Sequence, residues 1–183
     1  MRWWLRSLGS GAAVGFVAGL VVGGTLGRVF MRVLFLARGE TVGIQTAVGA
    51  IVGEFTGPGT GAIYVFGAFF GIVLGIAYSL GRALLPSSTG LRTILFTGGA
   101  TALMVGQIAR GNREDFTFLP VTLSLLLIAG SVALTAVPVP ILVERLAPDR
   151  GRRPGPFRHG AAALGLAGAA AFGVTGILAA YAA

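Results

Sequence analysis

Few residues in this chain can do chemistry, and arginine dominates them. There are 14 basic residues, all of them arginine, against 6 acidic ones, with His159 the single histidine and no cysteine. Disulfides, thiolate metal sites and cysteine nucleophiles are excluded on that count alone. No HExxH, GxSxG or P-loop pattern occurs, and no His/Cys cluster has metal-ligand spacing. The glycines of the first apolar segment do not follow a strand, so they do not form a dinucleotide loop. We therefore expect no catalytic residue, no metal and no cofactor. The residues best placed to act on a ligand are Arg28 and Arg32, one helical turn apart on one face of an apolar run. A charge within a bilayer costs at least about 2.5–3.5 kcal/mol on insertion scales. Such a pair either snorkels at an interface or faces an acid or a bound anion. Glu54 is the best acidic partner, which makes Arg28, Arg32 and Glu54 the candidate polar or anion site.

Composition says what must position these residues. The chain has 183 residues, 55% of them hydrophobic and 11% charged. A soluble surface needs roughly 25–35% charged residues, so a soluble domain is excluded, and the high hydrophobicity excludes disorder. Glycine supplies 31 residues without a G-X-Y register, so the chain is not collagen-like. An integral membrane protein remains. Its pI near 11.6 would suggest nucleic acid in a soluble chain; here it is a topology signal, and no nucleic-acid partner is expected.

A spanning helix needs about 20 mostly apolar residues. Five segments qualify, at about 8–36, 61–85, 93–109, 118–143 and 160–182. The expected fold is therefore all-α, a single domain of five transmembrane helices over residues 1–183. In the long connection 39–60, Val42, Ile44, Thr46, Val48, Ala50 and Val52 fall at period two, and Gly-Pro-Gly at 57–59 reads as a turn; a small extracytoplasmic hairpin or re-entrant piece is expected there. The first apolar stretch outruns a signal-peptide core of ~7–15 residues, so it is read as a retained anchor. With the N-terminus inside, 9 arginines fall on the inner side and 3 on the outer, leaving aside Arg28 and Arg32. That bias predicts a cytoplasmic N-terminus and an extracytoplasmic C-terminus; with the resemblance described below, the expected location is a bacterial inner (cytoplasmic) membrane. The inner segment with Arg150, Arg152 and Arg153 should meet anionic lipid headgroups.

Glycine spacing adds a packing expectation. Gly11, Gly15, Gly19, Gly23 and Gly27 recur every fourth residue, as do Gly67, Gly71 and Gly75 with Ser79, and Ala161, Gly165, Ala169 and Gly173. Each step of four advances about 40° around an α-helix, so the first set makes a slanting groove. Helices in lipid associate by van der Waals contact, and side-chain-free faces permit it. A glycine zipper of this kind serves either packing within one bundle or self-association, with a homo-oligomer or a membrane-protein partner. Thr93, Thr97 and Thr101 share a face of the third span, and Pro138 and Pro140 should bend the fourth.

The arginine-bearing segment GRVFMR ending at Arg32, the segment REDFTFLP (113–120) and the segment VPILVERL (139–146) resemble uncharacterised small polytopic membrane proteins of high-GC bacteria. The resemblance implies a membrane topology and nothing about activity. The expected role is structural or accessory, through helix contacts and without catalysis. The alternatives are a homo-oligomeric channel or small-solute transporter and, behind it, a lipid-processing enzyme.

Overall fold

In a computed structural model of the chain, residues 2–37, 56–111, 120–148 and 156–182 are described, and those residues contain helices and no strand. The first span comprises α1 (Arg2–Ala18), a π-helical turn (Gly19–Gly23) and α2 (Gly24–Ala37). It is followed by α3 (Gly57–Gly81) and α4 (Thr89–Gly111). The fourth span is α5 (Val121–Ala136) and α6 (Pro138–Leu146), interrupted at Val137, and α7 (Pro156–Tyr181) ends the bundle. Five helices are long and apolar enough to cross a membrane. Residues 38–55, where most of the expected hairpin falls, lie outside the described residues. Gly57-Pro58-Gly59 is not a free turn. It is the first turn of α3, with Thr56 as N-cap accepting from the Gly59 N–H. Proline suits that position because its missing N–H has no helical partner there anyway.

Two tight helix pairs make the bundle, and the fourth span joins them. The most extensive contacts are between α1 and α3 and between α4 and α7. The α5–α6 span touches the first span, α3, α4 and α7, and it is the most apolar of the five. Its interruption has a covalent cause: Pro138 and Pro140 lack the N–H groups that would reach Leu134 and Ala136.

The α1–α3 pair is a backbone-on-backbone contact. A Cβ on Gly15 would overlap the Gly71 carbonyl, one on Gly19 the Gly67 carbonyl, and one on Gly75 the Gly11 carbonyl. The glycine faces of the first and second spans are thus turned to each other within a single chain. Ser79 closes the row by donating to the Ser7 carbonyl at 3.0 Å. In the α4–α7 pair, a Cβ on Gly106 would lie 2.8 Å from the Phe172 carbonyl oxygen, and one on Gly173 2.8 Å from that of Ala102. Small residues occupy these seams, while Val17, Val65, Phe69, Leu126, Leu134, Leu164 and Leu178 point outward. A globular protein in water is built the other way round, with large apolar side chains inside.

The π turn keeps the first span in register with α3. In that turn the Gly24 N–H donates to the Gly19 carbonyl, five residues back. Gly11, Gly15 and Gly19 meet α3 at spacing four, and beyond the turn Gly24 meets Tyr64, Gly27 meets Ile63 and Arg28 meets Thr60. The single step of five absorbs the drift of a four-residue repeat around an α-helix. Gly23 then lies between α3 and α5, where a Cβ would come 3.5 Å from the Gly67 Cα and 3.4 Å from the Thr135 hydroxyl.

Replacing Gly71 by Ala should destabilise the fold by about 1–3 kcal/mol, because the added methyl must push two backbones apart. Gly130→Ala, where a Cβ meets nothing within 4 Å, should be neutral or stabilising by up to about 1 kcal/mol. Thermal unfolding in detergent compares the two, and equal effects would contradict the backbone contact.

Candidate functional site

The densest polar cluster forms where α3 ends, α4 begins and α6 ends. Glu144 lies near the C-terminus of α6, Arg82 is the C-cap of α3, and Arg92 sits in the first turn of α4. The Glu144 Oε1 accepts from the Arg92 Nη1 at 2.6 Å and from the Tyr78 hydroxyl at 2.7 Å, and Arg82 Nη1 lies 3.7 Å away. Arg82 also donates to the Ala147 carbonyl at 2.6 Å, and Arg92 Nε to the Pro86 carbonyl at 2.9 Å. Arg82 is 2% exposed and Arg92 7%. The Tyr78 ring packs edge-on against Phe96, centroids 5.0 Å apart.

Local physics explains why these residue types sit here. A cation is favoured at a helix C-terminus, and Arg82 lies at that of α3. Arg92 near a helix start and Glu144 near a helix end are each placed against their own helix field, and each compensates the other. The cluster ties four pieces of chain together: the α3 end, the 82–88 turn, the α4 start and the α6 end.

The sequence-predicted residues lie elsewhere. Arg28, on α2, is buried, and it donates to the Thr60 hydroxyl and, at 3.4 Å, to the Thr56 carbonyl. Thr60 in turn donates to the Thr56 carbonyl at 2.7 Å. Arg28 therefore grips the start of α3, at the opposite end of the bundle from Glu144. Arg32 is exposed and lies 5.0 Å from the centre of the Phe35 ring. At 1.5 Å per residue the 33-residue first span is about 50 Å long, against about 30 Å of hydrocarbon. Glu54, Arg150, Arg152 and Arg153 fall outside the described residues.

The glycines of the first span divide at the π turn: Gly11, Gly15 and Gly19 face Gly75, Gly71 and Gly67, whereas Gly27 meets the side chain of Ile63. In α7 the close contacts come from Gly173 and Gly176, and Gly165 has open space. At the Arg28 end, Arg110 stacks 4.1 Å above Phe172 and donates to Thr175, while Thr122 and Tyr181 share a hydrogen bond of 2.8 Å. Thr93 and Thr135 donate to carbonyls of their own helices, as hydroxyls in apolar helices commonly do.

Sequence reasoning did not join Arg82, Arg92 and Glu144. A signal was present. Two basic residues flank the 82–92 connection, and an acid closes the fourth span at the same end of the bundle. Opposite charges at one level in an apolar bundle are expected to pair.

Among the described residues no group of three His, Cys, Asp or Glu could hold a metal ion. The cluster brings a carboxylate, two guanidiniums and a phenol together, an arrangement that can clamp helices and hold charge. No protein-family model, curated protein or solved structure matches the chain.

Glu144→Gln should cost about 3–5 kcal/mol, because it leaves two buried guanidiniums facing a neutral group. Tyr78→Phe keeps the ring and loses one hydrogen bond to a charged group, for about 1.5–3 kcal/mol. Unfolding midpoints in detergent should fall in that order, and an unchanged midpoint for Glu144→Gln would mean the clamp contributes nothing.

Proposed function

We propose that the chain is a small multi-spanning protein of a bacterial cytoplasmic membrane, with its N-terminus on the cytoplasmic side and a structural or accessory role. It works by helix contact, as a glycine-zippered bundle that presents an apolar outer surface to lipid and to itself or a membrane partner. The observation that carries this reading is how the interior is used. Backbone contact fills the α1–α3 and α4–α7 seams, and the buried charges are spent on holding helix ends. The arginine bias toward the N-terminal side supports the orientation.

A second reading has one specific observation in its favour. Halfway along the bundle, a space of about 130 Å³ is bordered by Gly23, Gly67, Ser131 and Thr135, among others. The π turn borders it, and the proline break of the fourth span follows Thr135 by three residues. Interrupted helices at mid-membrane are a mark of transporters, and π turns often sit at functional sites. A homo-oligomeric channel or a small-solute or anion transporter would use this place.

Liposomes separate the two. Under the structural reading, the reconstituted protein passes no ions or small anions, and Gly19→Leu abolishes folded, monodisperse protein in detergent. Measurable flux, lost on Thr135→Val, would replace the structural role with the transport one.

A further inference from the structure

Polar atoms inside the bundle gather where α4 and α5 meet the first span. Ser124, Ser131 and Thr135 are spaced seven and four residues apart, which puts them on one face of α5. Ser124 is 1% exposed, and its hydroxyl has no hydrogen-bond partner. The hydroxyls of Thr97 and Thr101 on α4 are likewise buried without one. Both threonines lie within a turn of Ala100, which packs with Ala136 and Leu74.

Carbonyls are in surplus at the same place. Pro138 and Pro140 leave those of Leu134 and Ala136 without a helical donor. The π turn leaves another. The Gly24 N–H goes to the Gly19 carbonyl, and α2 resumes ordinary bonding from Gly24. Residues 20–23 then hold four carbonyls against the three N–H groups of residues 25–27, so one carbonyl has no donor in its own helix. Thr135 is 6% exposed, and its hydroxyl donates to the Ser131 carbonyl, which leaves its lone pairs able to accept.

Gly23 of the turn, Ser131 and Thr135 all border the space of about 130 Å³ enclosed by the first span, α3, α4 and α5. One water needs only about 10–15 Å³, so there is room for more than one. An apolar occupant would leave the hydroxyls and the surplus carbonyl unpaired, at the cost of their desolvation. None of the residues bordering the space is charged, so an ion there would have no counter-charge. The carbonyls need donors and the Thr135 oxygen needs one too, while a serine hydroxyl needs an acceptor. Water is the small molecule that supplies both.

We propose that this space is a binding site for a small cluster of ordered water, which bridges the π turn of the first span to Ser131 and Thr135 of α5. The water stands in for the bonds that two interrupted helices have lost, as it does for broken helices elsewhere in membranes. The site goes beyond either reading of function, because a closed bundle can hold such water as well as a transporter can.

The test is solid-state NMR of the full, isotope-labelled chain in lipid bilayers, following magnetisation passed from water to the protein. Ser131 and Thr135 should receive it several-fold sooner than Leu134, which neighbours Thr135 in the chain and points outward. Thr135→Val keeps the shape and removes the hydroxyl, and it should slow transfer to Ser131 several-fold while leaving Leu134 unchanged. Transfer to Ser131 and Thr135 no faster than to Leu134 in the unaltered chain means a dry space and overturns the proposal, whether or not the variant folds. Transfer to Ser131 that Thr135→Val leaves unaltered overturns the bridge. Xenon under pressure that shifts the Val132 and Met104 resonances overturns it as well, since dry apolar cavities admit xenon. A shift at Thr135 that saturates with sodium would assign the space to a cation instead. Liposome flux is a separate result, which decides the role of the protein and not the occupancy of this space.

Discussion

The bundle depends on how closely two backbones can approach in a solvent that does not drive them together. Lipid tails are as apolar as leucine, so burying leucine against leucine gains little there. What remains is dispersion between atoms in contact, small for each pair and large in sum, together with hydrogen bonds. Gly11, Gly15 and Gly19 against Gly75, Gly71 and Gly67 maximise the first by removing the atoms that would hold the helices apart. Glycine costs about 1 kcal/mol of helix propensity at each position, a cost that long apolar helices in lipid tolerate because their backbone has no alternative hydrogen-bond partner. The second tight pair, α4 with α7, repeats the solution with fewer glycines and more alanines.

Polar side chains then fix what glycine leaves free. A smooth seam resists separation but resists sliding less well. The hydroxyl of Ser79 on the Ser7 carbonyl, the Arg28 grip on Thr56 and Thr60, and the Glu144 cluster each tie one specific residue to another across helices. They lie toward the ends, where the cost of charge is lowest and headgroups or water are near. The Glu144 cluster joins three helices at once, and the two tight pairs share it: Arg82 belongs to one, Arg92 to the other, and Glu144 to the span between them.

Much of this architecture was legible in the sequence because its causes are local. The five spans follow from apolar length, and their observed limits differ from the expected ones by a few residues at most ends. Period four at Gly11 to Gly27 marks a small-residue face in any α-helix. What spacing could not supply was phase: four equal steps on paper become two steps of four from Gly11 to Gly19, one of five to Gly24 and one of four to Arg28, because a helix under contact can take up an extra residue. The Gly57-Pro58-Gly59 segment was misjudged for a related reason, since the same residues that make turns also start helices, and only the Thr56 cap decides between them. The Glu144 cluster was illegible in detail because it is assembled from residues 66 and 52 positions apart, by topology and not by motif.

The extra residue in the first span has an evolutionary consequence. Because the π turn takes up the mismatch between α1 and α2, the two halves of that helix answer to different stretches of α3 and can drift separately. Changes near the N-terminus are judged against α3 and the Glu144 end, and changes beyond Gly24 against Tyr64, Thr60 and the far end. A duplication or loss of one codon inside the turn would be felt downstream as a rotation of the whole second half, carrying Arg28 out of the seam and into lipid. Length within Gly19–Gly23 should therefore be held more strictly than the identity of the valines and leucine that fill it.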